Sequence, residues 1–95
     1  MTQHFEWDSD KNKRNIDKHG ISFYDAIQIF EGKYLSYISP RNDEDRMVGV
    51  GIVKDRIIAV TYTLRLDNIR IISARIARRI ERKLFTHQYE ENKNK

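Results

Sequence analysis

Residues 61–82 decide the fold of this chain and read Thr-Tyr-Thr-Leu-Arg-Leu-Asp-Asn-Ile-Arg-Ile-Ile-Ser-Ala-Arg-Ile-Ala-Arg-Arg-Ile-Glu-Arg. The stretch turns from a β pattern into a helical one and places six arginines on the way. Arginines at fixed strand and helix positions indicate a preorganised site for phosphate oxygens, because the guanidinium group is planar, always charged and bidentate. The same arginines could instead keep a solvated face soluble.

Positive charge is concentrated in this region. The 95 residues carry a formal net charge of +4, whereas residues 65–83 alone contain seven basic and two acidic residues. This distribution indicates a polyanionic partner such as nucleic acid, although a modest net charge also occurs in proteins that bind nothing anionic.

Composition excludes several classes of protein. The length predicts a single domain over residues 1–95, and the lack of cysteine excludes thiol catalysis and fits a reducing cytosol. No apolar run is long enough to span a membrane, and the sequence contains neither a nucleotide-binding P-loop nor a Gly-x-Ser-x-Gly elbow. The histidines, His4, His19 and His87, lack ligand-like spacing. We expect a cytoplasmic protein without metal, cofactor or membrane partner.

The N-terminal part predicts two helices after a short extended segment, Phe5–Trp7. Asp8 or Ser9 can cap a first, mostly exposed helix that runs to about His19 and is ended by Gly20. This helix must be held at one narrow stripe, because Ile16 is its one strongly apolar residue. Ser22 and Asp25 resemble a capping box. The second helix that follows buries an apolar face and ends near Glu31 and Gly32.

The middle of the chain predicts an antiparallel, mainly meander sheet. Its strand candidates are Tyr34–Ser39, Arg46–Val53, Ile57–Leu64 and Ile69–Ser73, with a turn over Pro40–Asp43. The later connectors are too short for parallel crossovers, so these strands should be antiparallel neighbours. Gly49 and Gly51 lie on one strand face, where a packed helix or another chain could come close.

A C-terminal helix is predicted from about Ala74 to Tyr89, with Ser73 as its cap and a frayed tail from residue 90 to 95. Its apolar stripe consists of Ile76, Ala77, Ile80 and Leu84, and its basic face of Arg75, Arg78, Arg79, Arg82 and Lys83. The stripe could be the domain's own core, or an exposed share of it could dock a partner.

The chemistry that remains is acid–base catalysis assisted by arginines, which suits RNA cleavage by attack of the 2′-hydroxyl on the adjacent phosphate. His19 lies at a helix C-terminus, where the dipole favours its protonated form, but a histidine before a terminating glycine also commonly caps carbonyls. Arg46, Arg65 and Arg75 begin or end predicted elements. They could converge at one rim of the sheet or pair with carboxylates.

Several segments together resemble the BrnT family of bacterial type II toxins, which is grouped with RelE-like ribonucleases. The matching segments are Phe5-Glu6-Trp7-Asp8 with Lys11 and Asn15; Lys18-His19-Gly20-Ile21-Ser22-Phe23 with Ala26 and Phe30; Arg46 with Gly49 or Gly51; and Tyr62-Thr63 with Arg65, Ile69-Arg70-Ile71-Ile72-Ser73-Ala74-Arg75, Ala77 and Glu81. The resemblance implies an α+β, RelE-like fold and a metal-independent endoribonuclease that blocks translation.

The resemblance also implies partners. These are RNA, a BrnA-type ribbon-helix-helix antitoxin and, through the antitoxin, operator DNA of the operon that both proteins repress, with a toxin dimer or a toxin–antitoxin heterotetramer as possible assemblies. The alternative is a non-catalytic binding module that docks an antitoxin and helps it occupy DNA.

Carried over by position, the resemblance implies catalytic roles for His19, Arg46, Arg65 and Arg75, with Lys11 and Glu81 as further members. The arginines would hold the scissile phosphate, and His19 or Lys11 would move protons. The RNA-binding candidates are Arg70, Arg78, Arg79, Arg82 and Lys83.

Some of these positions allow a second interpretation or depart from the family. For Glu81, a structural ion pair with Arg78 remains the other interpretation. Leu64 stands where the family usually has Glu, and Phe85 stands near a common Tyr, so either departure could alter activity.

Overall fold

A computed structural model describes residues 4–41 and 45–93, with side chains to Tyr89. Its elements in chain order are β1 (His4–Trp7), α1 (Ser9–His19), α2 (Phe23–Ala26), a 3₁₀ helix (Ile27–Glu31), β2 (Tyr34–Ile38), β3 (Met47–Val53), β4 (Arg56–Arg65), β5 (Asn68–Ile76) and α3 (Arg79–Lys93). The predicted α+β class is confirmed. Residues 42–43 of the predicted turn, and residues 94–95 of the predicted tail, lie outside the described residues.

The two N-terminal helices begin and end where their capping residues predict. The Asp8 carboxylate accepts hydrogen bonds from the backbone N–H groups of Asp10 (2.8 Å) and Lys11 (3.1 Å). Gly20 ends α1 at a φ of 70°, a left-handed conformation that glycine adopts without strain. Ser22 Oγ accepts from the Asp25 N–H at 3.0 Å. Side-chain capping therefore sets both helix starts.

α1 is held to the sheet by a buried amide rather than by an apolar stripe. Asn15 Nδ2 donates to the carbonyls of Ile21 and Ala74, both at 2.8 Å, and Asn15 Oδ1 accepts from the Ala74 N–H at 3.1 Å. Ile16, the expected contact, remains 42% exposed. The helix carries so few apolar residues that hydrogen bonds to β5 provide its attachment.

The sheet has five strands in the order β1-β5-β4-β3-β2. The antiparallel meander from β2 to β5 is confirmed, but β1 pairs parallel with β5, with His4 opposite Asn68 and Trp7 opposite Ile71, so the sheet is mixed. The short connectors revealed the antiparallel pairs. The β1–β5 pair joins opposite ends of the chain and leaves no such local signal.

The predicted start of the last helix was wrong. Ser73 does not cap α3 but pairs with Thr61, and β5 continues until Ile76 pairs with Ile58. β-Branched isoleucines suit the pleated sheet better than a helix, and the ladder to β4 satisfies the backbone there. Arg75 is therefore a strand residue.

One side of the sheet, which we call the inner face, is closed by α2 and the 3₁₀ helix. Ile58, Val60 and Tyr62 of β4 point to this side and pack in one buried apolar cluster with residues of these helices. The predicted close approach at the glycines is confirmed, because a Cβ atom on Gly51 would lie 2.9 Å from Ile29 Cβ.

The opposite side, the outer face, is covered by α3 at one end only. Phe85 and Ala77 pack there with Val48, Val50 and Ala59. Of the two interpretations of the predicted apolar stripe, the core is wrong for three of its residues, since Ile76, Ile80 and Leu84 are 44%, 60% and 54% exposed and only Ala77 is buried. The helix starts later than predicted, which turns Glu81 and Phe85 toward the sheet. Among the described residues, no helix is long and apolar enough to cross a membrane.

Candidate active site

A pocket of about 190 Å³ lies on the outer face beside the N-terminus of α3. Its lining residues come from four strands, their connections and the start of α3: Tyr37, Ser39, Pro40, Arg41, Arg46, Val48, Thr61, Ser73, Arg75 and Arg78. Four of these residues are arginines, and none of the described lining residues is acidic. The pocket therefore concentrates positive charge around a small, polar floor.

Arg75 is fixed in this pocket by a bidentate ion pair with Glu81. Its Nη1 atom lies 2.7 Å from Glu81 Oε1, and its Nη2 atom lies 3.0 Å from Glu81 Oε2. The two side chains are 23% and 5% exposed. A planar fork held by two parallel hydrogen bonds keeps the orientation of Arg75 constant.

Glu81 also joins α3 to the sheet. Its Oε1 atom accepts from the backbone N–H of Arg78 at 2.7 Å, and its Oε2 atom accepts from the hydroxyl of Tyr37 on β2. As the third residue of α3, Glu81 thus caps the N-terminus of its own helix. Burial of the carboxylate acts to raise its pKa, but the hydrogen bonds that it accepts have a larger effect in the opposite direction. The pKa is lowered as a result from 4.5 to about 2. The group stays ionised at neutral pH.

Tyr37 completes this arrangement. Burial raises the pKa of its hydroxyl above 10.0, and the hydrogen bond to Glu81 raises it again. The hydroxyl is consequently protonated at neutral pH and available as a donor to the carboxylate. Neither Tyr37 nor Glu81 has the protonation behaviour of a general base at neutral pH.

Arg46 lines the same pocket from the position before β3. Its Nε atom is buried and has no hydrogen-bond partner among the described residues. Arg46 is therefore held less tightly than Arg75, although both belong to one pocket.

Arg65 and Arg70 lie toward the other end of the outer face. Arg70 Nη1 is 2.8 Å from Glu6 Oε2 on β1, and Asn68 donates to Glu6 Oε1 at 3.0 Å. These hydrogen bonds, that of Arg70 first, lower the pKa of Glu6, and the charge of the nearby exposed Arg65 adds to the effect. Neither arginine lines the pocket, so the predicted convergence brings together Arg46 and Arg75 without Arg65.

His19 and Lys11 both belong to α1, and their side chains do not line the pocket. This helix is bonded through Asn15 to Ala74, whose side chain belongs to the inner-face cluster. The two predicted proton-transfer residues therefore lie on a helix attached to the backbone of β5 beyond the end of β1, outside the described lining of the arginine pocket.

The predicted basic helix face is present in part and adjoins the pocket, because Arg79, Arg82 and Lys83 belong to α3, whereas Arg78 precedes the helix and Arg75 lies in β5. Arg78 is shared with the pocket, while Arg79, Arg82 and Lys83 line a shallow neighbouring cavity of about 530 Å³. The guanidinium group of Arg82 donates to the Ala77 carbonyl. This surface extends the positive charge of the pocket along α3.

A different cavity, of about 300 Å³, lies between β2 and the C-terminal part of α3. Its one basic lining residue is Lys33, whose Nζ atom lies 5.5 Å from the centre of the Tyr89 ring. The remaining lining is mostly apolar or aromatic, so this cavity does not resemble an anion site.

Sequence reasoning missed Tyr37, Arg41, Thr61 and Ser73 as lining residues of the pocket. Strand alternation could have placed Tyr37 on the outer face, but nothing local shows its contact with Glu81. Of the two departures from the family, Leu64 is exposed and, by alternation, points away from the outer face, whereas Phe85 is buried under α3. Among the described residues, no group of three or more His, Asp or Glu side chains could hold a metal ion.

Comparison with known proteins identifies a family and a similar solved structure. Residues 7–81 match the family model described as "Ribonuclease toxin, BrnT, of type II toxin-antitoxin system". The crystal structure of the Brucella abortus ribonuclease toxin BrnT is similar, with a TM-score of 0.63 and 30% sequence identity, over 82% of this chain and 100% of that chain. No curated protein matches. The segment matched by the family model contains every lining residue of the arginine pocket, and Glu81.

Proposed function

This chain belongs to the BrnT family of ribonuclease toxins of type II toxin–antitoxin systems, and on that basis we propose that it is an endoribonuclease that cleaves RNA in the outer-face pocket and thereby inhibits translation. The observation that carries the proposal is the bidentate fixation of Arg75 in a pocket with three further arginines. Pockets for whole small molecules usually measure about 300–1,000 Å³. The smaller volume here suits a phosphodiester group.

In this mechanism, the 2′-hydroxyl oxygen attacks the adjacent phosphorus, and the bond from phosphorus to the 5′-oxygen breaks. The products are a 2′,3′-cyclic phosphate and a 5′-hydroxyl, so no water is consumed in the cleavage step. Arg46, Arg75 and Arg78 bind the phosphate and stabilise the additional charge of the phosphorane. Because arginine never loses its charge in the working pH range, this stabilisation needs no metal ion.

Glu81 and Tyr37 have a positioning role in the proposal. A carboxylate that already accepts four hydrogen bonds is a poor proton acceptor, but it holds Arg75 ready for the phosphate. The proton lost by the 2′-hydroxyl is balanced by the proton gained by the departing 5′-oxygen, and both transfers use groups other than His19 and Lys11, because neither side chain lines the pocket. Arg65, Arg70, Arg79, Arg82 and Lys83 attract the flanking RNA.

We assign the fold to the RelE-like group, on the basis of its antiparallel β2–β5 meander and its flanking helices. As a toxin, the protein would be neutralised by a BrnA-type ribbon-helix-helix antitoxin. The toxin–antitoxin complex would then bind operator DNA through the antitoxin and repress the operon. A short ribbon-helix-helix reading frame next to this gene would support that pairing.

The second candidate function is a non-catalytic module that binds an antitoxin and helps it to occupy DNA. One observation favours it. Apart from the arginines, Tyr37 is the only titratable side chain among the described residues of the pocket lining, and its pKa is raised by burial first. In this case the arginines would bind a partner's phosphate or carboxylate without cleavage.

A recombinant cleavage assay separates these functions. The protein is incubated with a defined RNA in EDTA, and the 5′ ends are mapped. We expect cleavage by the wild type and a loss of about 100-fold or more for Arg46→Ala and Arg75→Ala. The matched control is Arg56→Ala, which removes an exposed strand arginine outside the pocket. Thermal melting of each variant identifies losses that come from unfolding.

Absence of cleavage by folded wild type, together with unchanged growth when it is expressed, would remove the ribonuclease proposal and leave the binding module. Cleavage that survives both substitutions would instead move the active site away from this pocket. Cleavage that depends on a divalent metal would contradict the metal-independent mechanism.

A further inference from the structure

Two buried side-chain polar atoms have no hydrogen-bond partner among the described residues, namely Arg46 Nε and Thr63 Oγ1. An unsatisfied buried polar atom costs about 1–3 kcal/mol, and folded proteins contain few of them. Each one therefore calls for a physical explanation. Here both occur in one small area of the outer face.

The strand register places these two residues side by side. Met47 pairs with Tyr62, so the preceding residue, Arg46, comes level with Thr63 on the neighbouring strand. Thr63 in turn pairs with Arg70 on β5. With neighbouring strands about 4.8 Å apart, the three residues form a row across the sheet with the hydroxyl in the middle.

The row is continuous with the arginine pocket. Arg46 belongs to both, and Thr61, which lies two residues before Thr63 on the same face of β4, contributes to the pocket lining. Two residues of a strand span about 7 Å, so an RNA strand bound at Arg75 can extend over Thr63.

The chemistry of the two atoms identifies what they bind. An arginine Nε–H is only a donor, and a threonine hydroxyl can donate as well, so an oxygen that accepts from both would satisfy both. A phosphate oxygen meets this requirement and is also attracted by the charge of Arg46. Thr63 is only 4% exposed, so its hydroxyl is well shielded from competing water.

Arg46 and Arg75 differ in the hydrogen bonds that each guanidinium group would lose by moving. Arg75 would break its bonds to Glu81, whereas Arg46 Nε leaves no hydrogen bond behind when its guanidinium group turns toward a ligand. Arg46 is therefore suited to adjust to a bound phosphate, while Arg75 remains fixed.

We propose that Thr63 and the Nε atom of Arg46 form a second phosphate subsite, which binds the phosphate next to the one held at Arg75, so that the guanidinium group of Arg46 lies between the two phosphates and contacts both. The inference rests on the proposed function for the identity of the ligand as RNA, and it adds a subsite whose binding does not depend on cleavage.

The test measures binding of a single-stranded RNA oligonucleotide that carries 2′-O-methyl groups at every position, by fluorescence anisotropy at several salt concentrations. This probe cannot be cleaved by attack of a 2′-oxygen. Thr63→Val removes the hydroxyl at nearly constant volume and should weaken binding about tenfold, whereas Thr63→Ser should retain most of the affinity. Arg46→Gln should weaken binding by at least as much and reduce the slope of log K against log salt by about one.

A second measurement separates this role from a structural one. Thr63→Val should leave the melting temperature equal or higher, because it removes an unsatisfied buried hydroxyl. If Thr63→Val folds and binds the probe as tightly as the wild type, the row holds only water, and the subsite is overturned. If the wild type fails to cleave ordinary RNA but the binding losses occur as expected, the subsite stands and the ribonuclease function falls.

Discussion

The two faces of the sheet use the same strands for opposite purposes. On the inner face, alternate residues of β4 are Ile58, Val60 and Tyr62, and helices close over them. On the outer face, the intervening residues begin with Ala59 under α3 and continue as Thr61 and Thr63 toward the arginines. A change from apolar to polar along one face, while the other stays apolar, marks where the core ends and the site begins.

The faces also differ in how they use buried polar groups. Asn15 satisfies backbone groups of Ile21 and Ala74, whose side chains belong to the inner-face cluster, and so attaches α1. Glu81, on the outer side, satisfies donors from β2, β5 and the start of α3 and so aims Arg75. One buried polar residue serves stability alone, whereas the other connects stability with the proposed function.

The largest effect should come from removing the inner-face anchor. Asn15→Ala leaves the N–H and carbonyl groups of Ala74 and the carbonyl of Ile21 without their partner, which should lower the free energy of unfolding by about 4 kcal/mol. Urea denaturation measures the loss. Asp17→Ala, an exposed change on the same helix, should change stability by less than about 0.5 kcal/mol. Equal losses for the two variants would show that the amide does not anchor α1.

Acid should weaken the attachment of α3 on the outer face, because that attachment depends on the ionised carboxylate of Glu81. Asn15, by contrast, attaches α1 through neutral hydrogen bonds. The folded-state pKa of Glu81 is about 2, against 4.5 ordinarily, so its contribution to stability is complete above about pH 5 and is lost as the pH falls toward 2. Glu81→Gln should be less stable than the wild type by about 2 kcal/mol at pH 7.

The measurement compares the unfolding free energies of the wild type and Glu81→Gln between pH 7 and pH 2. Their difference should shrink as the pH falls through this window, which separates Glu81 from the other carboxylates common to both proteins. A difference that stays constant with pH would contradict the assignment of the low pKa to this residue.

A smaller effect should follow from crowding the inner face. The Cβ of Gly51→Ala would lie 2.9 Å from Ile29 Cβ, so the 3₁₀ helix must shift, at a cost of about 1–2 kcal/mol. Gly32→Ala is the matched control, because no atom lies within 4 Å of the added Cβ and its φ is −119°. Equal melting temperatures for the two variants would mean that the helix does not pack as tightly as described.

The inner face was the easier of the two to predict from sequence. Its helices follow from caps at Asp8, Gly20 and Ser22, and its close contact follows from Gly49 and Gly51, all of which are local signals. The outer face depends on contacts between distant residues. Tyr37 meets Glu81 across 44 positions, and no periodicity reveals such a pair.

Only part of the candidate site was predicted from the sequence, because some of its residues have local signals and others meet only through contacts between distant residues. Arg46 and Arg75 were found because each begins or ends a predicted element, although Arg75 proved to be in β5 rather than in a helix. Helical spacing placed Ile76, Ile80 and Leu84 on one helix stripe, but the β4–β5 ladder keeps Ile76 in a strand and starts α3 at Arg79, and all three side chains are exposed. The error came from tertiary pairing, which outweighs local propensity.

The smallest expected effect is also the strictest test of the difference between the faces. If chemistry occurs only in the outer-face pocket, His19→Gln should change the rate of RNA cleavage by less than about twofold, because His19 does not line the pocket. Lys11→Ala, at an exposed position of the same helix, should also change the cleavage rate by less than about twofold. Single-turnover cleavage by the folded variants measures both. A loss of 100-fold for His19→Gln would place proton transfer at α1, and the active site would then have to include groups of this helix rather than the arginine pocket alone.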